Sequence, residues 1–157
     1  MIGNSHTRVW IAFLAVLCCS FFIPAQFAGA QAALQAQKTG KLIVKITGIR
    51  NADGNIRVAV RTDENTIAVG QIATIDPKTL TAEATFDNLA EGEYGVAVIH
   101  DENKNEKLDF NEMGMPLEGY GHSNNPAKRP GPPDFNETKF LFAGPSTTVT
   151  VNLIYWP

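Results

Sequence analysis

The densest run of metal-seeking oxygens in the chain is Asp101-Glu102-Asn103-Lys104-Asn105-Glu106-Lys107-Leu108-Asp109-Phe110-Asn111-Glu112. Numbered from Asp101, oxygen-bearing side chains fall at positions 1, 3, 5, 9 and 12, and Lys107 at position 7 offers its backbone carbonyl. A hard cation such as Ca²⁺ takes about six to eight oxygens, and a tightly wound loop supplies them by turning alternate side chains inward. Asp101, Asn103, Asn105, Lys107, Asp109 and Glu112 are therefore the expected Ca²⁺ ligands. Leu108 at position 8 gives such a loop its apolar contact. Oxygen ligands throughout favour calcium over zinc. Position 6 departs from the pattern: Glu106 stands where glycine makes the sharp positive-φ turn, at a cost of about 1 kcal/mol. Lys104 and Lys107 dilute the local field, so the expected affinity is weak, in the range that suits extracellular modules. The competing reading is a solvated loop whose Asp and Asn side chains make Asx-turns.

A second set, His100, Glu118, Tyr120, His122, Ser123 and Asn124, flanks or follows this loop. His100, His122 and Ser123 with a nearby carboxylate allow a hydrolase or a zinc site to be drawn, but sequence proximity does not make a triad. Neither a G-x-S-x-G elbow nor an H-E-x-x-H helix occurs. The balance is against an enzyme. Tyr120, Tyr155 and Trp156 allow a third alternative, an aromatic carbohydrate-binding surface.

Around these residues the dominant period is two, which marks strands. Leu42, Val44 and Ile46 alternate with polar neighbours, as do Ile56, Val58 and Val60, with a turn at Asn51-Ala52-Asp53-Gly54 between them; the pair reads as a hairpin. Gln71–Ile75 reads as a short strand. Leu80, Ala82, Ala84 and Phe86, then Tyr94, Val96 and Val98, continue the pattern. Thr138–Phe142 and Ser146–Ile154 read as a final pair around Gly144-Pro145. About seven strands without an amphipathic helix predict an all-β, immunoglobulin-like or transthyretin-like sandwich over 41–157. Residues 101–137 form an insertion before the last two strands, and at 37 residues it is too long for an idle loop. Met113, Met115, Leu117, Tyr120 and Phe135 predict that it is ordered and caps one end of the sandwich.

Upstream, Val9–Ile23 is a short apolar run preceded by Arg8 and followed by Ala28-Gly29-Ala30. That is the pattern of a secretory signal peptide over 1–30, with a flexible leader over 31–40. Export to the periplasm or medium follows, without a transmembrane segment after cleavage. Cys18 and Cys19 both lie in the run, so the mature chain has no thiol. Of 157 residues 44% are hydrophobic, and thirteen Lys and Arg stand against sixteen Asp and Glu. Removing residues 1–30 takes away only Arg8 among these, leaving a mildly acidic domain without the clustered basic residues that nucleic acid requires. The partner is unassigned; an envelope component or glycan fits the location.

Several blocks occur in order: Asn88-Leu89-x-x-Gly92-x-Tyr94, His100-Asp101-x-Asn103-x-Asn105, Leu108-Asp109, Gly114-x-Pro116-x-Glu118-Gly119-Tyr120-Gly121-x-Ser123-Asn124 and Pro132-Pro133-x-Phe135. Together they closely resemble an exported bacterial family classed as domain of unknown function 2141, from about Lys41 to Tyr155. The resemblance implies a periplasmic or secreted β-sandwich with no established activity. It also implies glycine where this chain has Glu106.

Overall fold

A computed structural model describes residues 37–129 and 131–156. The signal-peptide reading of 1–30 and most of the leader lie outside the described residues. Eight strands and one helical turn follow in order: β1 (Thr39–Thr47), β2 (Asn55–Arg61), β3 (Ile67–Ala73), β4 (Ala82–Ala90), β5 (Gly92–Asp101), β6 (Gly119–His122), α1 (Phe135–Thr138), β7 (Lys139–Phe142) and β8 (Ser146–Asn152). They make two sheets, β4-β1-β8 and β3-β2-β5-β6, with β7 also paired to β5. The fold is an all-β sandwich. Among the described residues no helix is long and apolar enough to cross a membrane.

The period-two sets are the core. Leu42, Val44, Ile46, Ile56, Val58, Val60, Ala84, Phe86, Val96, Val98, Phe142 and Val151 are all at most 5% exposed. Facing rows from the two sheets exclude water from one another, which is the main stabilising term of such a fold.

Pairing differs from the sequence expectation at several points. β1 and β2 are not a hairpin: β1 pairs β4 antiparallel and β8 parallel, while β2 pairs β3 and β5 in the other sheet. The link between them crosses the sandwich, turning at Gly48 (φ +74°) and burying Ile49. β7 and β8 likewise belong to different sheets rather than to each other. β3 spans Ile67–Ala73, not Gln71–Ile75, and as an edge strand it leaves Ile67, Val69 and Ile72 exposed. β1 starts at Thr39, inside the expected leader, where Thr39 and Gly40 pair Ala90 and Leu89. Alternation reports which face a residue occupies and carries no information about its lateral neighbour.

The insertion is ordered, and it is more than a cap. It supplies β6, which pairs Ala97–His100 of β5, and α1, which leads into β7 on Gly92–Gly95 of the same β5 edge. Met113 and Leu117, expected to anchor it, are 83% and 54% exposed. Phe135 does pack, against Gly95, where an added Cβ would lie 3.0 Å from its ring.

Candidate functional site: a wound acidic loop beside a roofed cleft

β5 delivers Asp101 at its last residue, and the chain then winds tightly. Asp101 is fully buried; one carboxylate oxygen accepts the Asn105 N–H at 2.9 Å and the other accepts the Glu106 N–H at 2.9 Å. Lys104 and Glu106 take left-handed backbone, φ +62° and +70°. The turn expected of glycine is thus made by a glutamate. Asn103 and Asn105 are set by Asx-turns, their Oδ1 atoms accepting the Asn105 and Lys107 N–H groups. Their amides converge on Asp109, at 2.6 Å from Asn103 and 2.9 Å from Asn105. Positions 1, 3, 5 and 9 are therefore one connected cluster. Lys107 lies on the same winding segment.

Glu112 does not join them. After Asp109 the chain forms a small hairpin in which Leu117 N–H donates to the Asp109 carbonyl and Phe110 bridges Pro116. Glu112 sits exposed in its turn. The acid that reaches back is Glu118, 5% exposed: Oε1 accepts the Glu102 N–H at 2.9 Å and Oε2 accepts the Asp109 N–H at 3.2 Å. Both ends of the acidic loop are held by this one carboxylate. Glu102 itself pairs Arg50 at 2.8 Å. Burial pushes the Glu102 carboxyl up, but hydrogen bonds from Arg50 and Asn51 outweigh it and leave the group below its usual range. Glu106 pairs weakly with Arg57 at 3.6 Å.

The histidines and Ser123 do not meet. His100 is fully buried, with Nε2 2.8 Å from the Asp53 carbonyl and Nδ1 2.8 Å from the Tyr155 hydroxyl. The Asp53 carbonyl can only accept, so Nε2–H donates to it, while Nδ1 is held by the Tyr155 hydroxyl with Glu102 Oε1 3.6 Å away, and neither nitrogen is left for a metal or a nucleophile. Burial pushes the Tyr155 hydroxyl above the ordinary phenol range. Ser123 is buried where β6 and β7 meet along β5. Its Oγ accepts the Val96 N–H at 2.8 Å and donates to the Thr138 carbonyl. Asn124 continues the seam, donating to the carbonyls of Glu137 and Lys139. Ser123 and Asn124 thus join strands, and the arrangement holds no hydrolytic triad. Among the described residues no three His, Cys, Asp or Glu side chains converge as metal ligands. Any cation at the loop would rest on two carboxylates with amide and backbone oxygens.

A family model described as "Uncharacterized protein conserved in bacteria (DUF2141)" matches residues 44–150. The chain belongs to this family. No curated protein and no solved structure matches it. The DUF2141 match covers the acidic loop, Glu118 and the Ser-Asn seam, and it ends before Tyr155 and Trp156.

Those two aromatic residues complete the local architecture of this DUF2141 chain. A Cβ on Gly119 would collide with the Tyr155 ring, so glycine there lets the chain end lie against β6. Gly54, at φ +70°, is pressed against the Asp101 backbone in the same way. Trp156 Nε1–H donates to the Tyr120 hydroxyl at 2.8 Å, and Lys128 Nζ stands 4.1 Å above the Trp156 ring. Arg50 stands 4.7 Å above Tyr155. Tyr155 and Trp156 thus each have a cation over the ring, while Tyr120 packs edge-on against His122.

Sequence reading missed a cleft of about 280 Å³ on the outer face of β5 and β6. Ala97 and Ile99 floor it, Leu108, Phe110 and Met115 wall one side, and Tyr120, His122 and Trp156 wall the other. Ala97 and Ile99 alternate along β5 with the buried Val96 and Val98 and so face outward. Nothing local marked that the insertion would fold back over them.

Proposed function

We propose that this DUF2141 chain is exported to the periplasm or the medium and acts there as a non-enzymatic binding or structural domain, its insertion ordered by Ca²⁺. Export rests on the charged end, apolar run and Ala-Gly-Ala site of residues 1–30. The single observation that carries the calcium reading is the wound Asp101–Asp109 backbone, with Asn103, Asn105 and Asp109 in mutual contact.

Charge and hydrogen bonding in the fold support it. Asp101 is fully buried, and among the described residues no cationic side chain pairs with it. A buried carboxylate held only by two N–H groups gains from a cation. Asn55, opposite Asp101 in the β2–β5 ladder, has a buried Oδ1 with no donor. Asp101, Asn103, Asn105, the Lys107 carbonyl and Asp109 would hold the ion, with Glu118 bracing the loop in place of Glu112. The ion would supply countercharge and cross-link the start of the insertion to its hairpin.

The test is calorimetric titration of the full chain with Ca²⁺ and Mg²⁺, paired with thermal unfolding in EDTA and in calcium. Calcium at about a hundred times Kd should stabilise by ~2.7 kcal/mol, and Asp109→Asn should weaken binding at least about tenfold by removing one unit of ligand charge. Absence of both heat and shift at about 10 mM calcium, beyond the weak extracellular range, would overturn the reading. Export is checked by the mass of the protein from the periplasmic fraction, expected to begin at Gln31.

A further inference from the structure

The cleft over β5 and β6 has the features of a ligand site rather than a packing defect. An apolar cavity of ~150 Å³ is enough to hold benzene. At about 280 Å³ this one accommodates a two-ring molecule. Its walls come from the acidic loop's hairpin and from the strands, so it lies between the insertion and the sheet. A smaller pocket of about 150 Å³ adjoins it and shares Tyr120 and His122.

His122 stands at that junction. Among the described residues no side chain or backbone group hydrogen-bonds either of its ring nitrogens; its ring packs edge-on against Tyr120, centroids 6.3 Å apart. The cations that line the two pockets are engaged, and Arg61, whose charge reaches His122, lies outside the lining. The Tyr120 hydroxyl accepts from Trp156 and keeps its own O–H donor, Lys128 donates to the Tyr155 carbonyl at 2.9 Å, and Arg129 is paired through both nitrogens with Glu137. With those cations occupied, the open hydrogen-bonding groups are the His122 ring and the neighbouring Tyr120 O–H, amid apolar walls. Such a site selects a molecule with one polar group on an apolar body, and it offers an anion no free countercharge within the cleft.

We infer that this cleft binds a small, neutral, two-ring-sized apolar molecule whose single hydroxyl or carbonyl group hydrogen-bonds His122. The inference stands apart from the calcium reading, because none of the residues that would hold the ion lines the cleft.

The probes are 2-naphthol, naphthalene and 2-naphthoate, titrated against the full chain by probe fluorescence. The expected result is saturable 2-naphthol binding, about tenfold tighter than naphthalene, as one hydrogen bond of ~1.4 kcal/mol gives. His122→Phe, which keeps a ring against Tyr120, should bring the two affinities together while naphthalene still binds. Ala97→Phe fills the floor and should abolish binding of both, with the thermal midpoint confirming that each variant folds. Absence of saturable 2-naphthol binding overturns the site. Tighter binding of 2-naphthoate overturns the neutral ligand, and equal discrimination in the His122 variant overturns the assigned contact.

Discussion

Glu118 Oε2 accepts the backbone N–H of Asp109 at 3.2 Å, and through this bond the strand leading into β6 sets the end of the acidic loop. The second oxygen holds Glu102 N–H at the loop's start. Glu118→Gln keeps the shape but turns an amide NH₂ toward one of these two donors. A buried donor then loses its acceptor, at about 1–3 kcal/mol. Urea unfolding should show that loss, and hydrogen exchange should show faster exchange at Glu102 or Asp109. Stability equal to the parent chain would mean that the clamp contributes nothing.

Glu106 carries the opposite expectation. Its φ of +70° is one that a side chain resists and glycine accepts. Its ion pair with Arg57 is long, at 3.6 Å, and Glu106 is 71% exposed there, so little is lost with it. Relief of the strained turn exceeds the extra chain entropy of glycine, and Glu106→Gly should stabilise by about 0.5–1 kcal/mol. Thermal unfolding would register this as a rise of about 2–4 °C. A fall would show that the turn is unstrained.

His122 makes the fold sensitive to acid. Burial, aided by the charge of Arg61, pushes its pKa from 6.5 to about 4. Between those values the unfolded chain binds a proton that the folded chain refuses. Its contribution is therefore complete above about pH 6.5, declines as pH falls toward 4, and is flat below. The full effect is about 3 kcal/mol. Denaturant titrations from pH 7.5 to 4 should lose this slope in His122→Phe. A His122 imidazole titrating near its ordinary value by NMR would refute the expectation.

The core was legible in sequence because burial in a sandwich follows a local rule: Leu42, Val44 and Ile46 must share a face whatever pairs beside them. Lateral pairing is not local, so β1 and β2 read as a hairpin when seven intervening residues carry the chain to the other sheet. The acidic loop was legible through Asp109, as its turns are built from short-range Asx contacts. Glu112 lies apart from the cluster: fixed spacing assumes continued winding, whereas the Asp109–Leu117 hydrogen bond diverts the chain into a hairpin. Glu118 reaches back to the Glu102 and Asp109 N–H groups through tertiary geometry that spacing cannot encode. The partners of His100 were not legible either, because Asp53 and Tyr155 lie 47 and 55 residues away in sequence.

Tyr155 gives that buried histidine a hydroxyl partner, and it also accepts the Arg50 N–H at 3.2 Å. Tyr155→Phe preserves the ring against Gly119 and removes both bonds. Nδ1 of a fully buried imidazole is then unsatisfied, at about 1–3 kcal/mol. Chemical denaturation should show that cost while the 2-naphthol cleft, which Tyr155 does not line, keeps its affinity. A parent-like midpoint would mean that water replaces the hydroxyl.

Asp109 lies between Leu108 and Phe110, both of which wall the cleft. A cation drawn to Asp109 therefore restrains two residues of the apolar wall, while a molecule seated against them restrains Asp109. Whatever factor calcium applies to cleft affinity, the cleft ligand must apply to calcium affinity. Stiffening a wall already in place favours both, so calcium should tighten 2-naphthol binding by about 5-fold, near the lower end of ordinary coupling. Titrating 2-naphthol in EDTA and in saturating calcium measures one arm, and titrating calcium with and without 2-naphthol measures the other. Equal factors above unity tie loop and cleft into one device. Affinities that ignore each other would leave two independent sites on one sheet, with the hairpin rigid before either is filled.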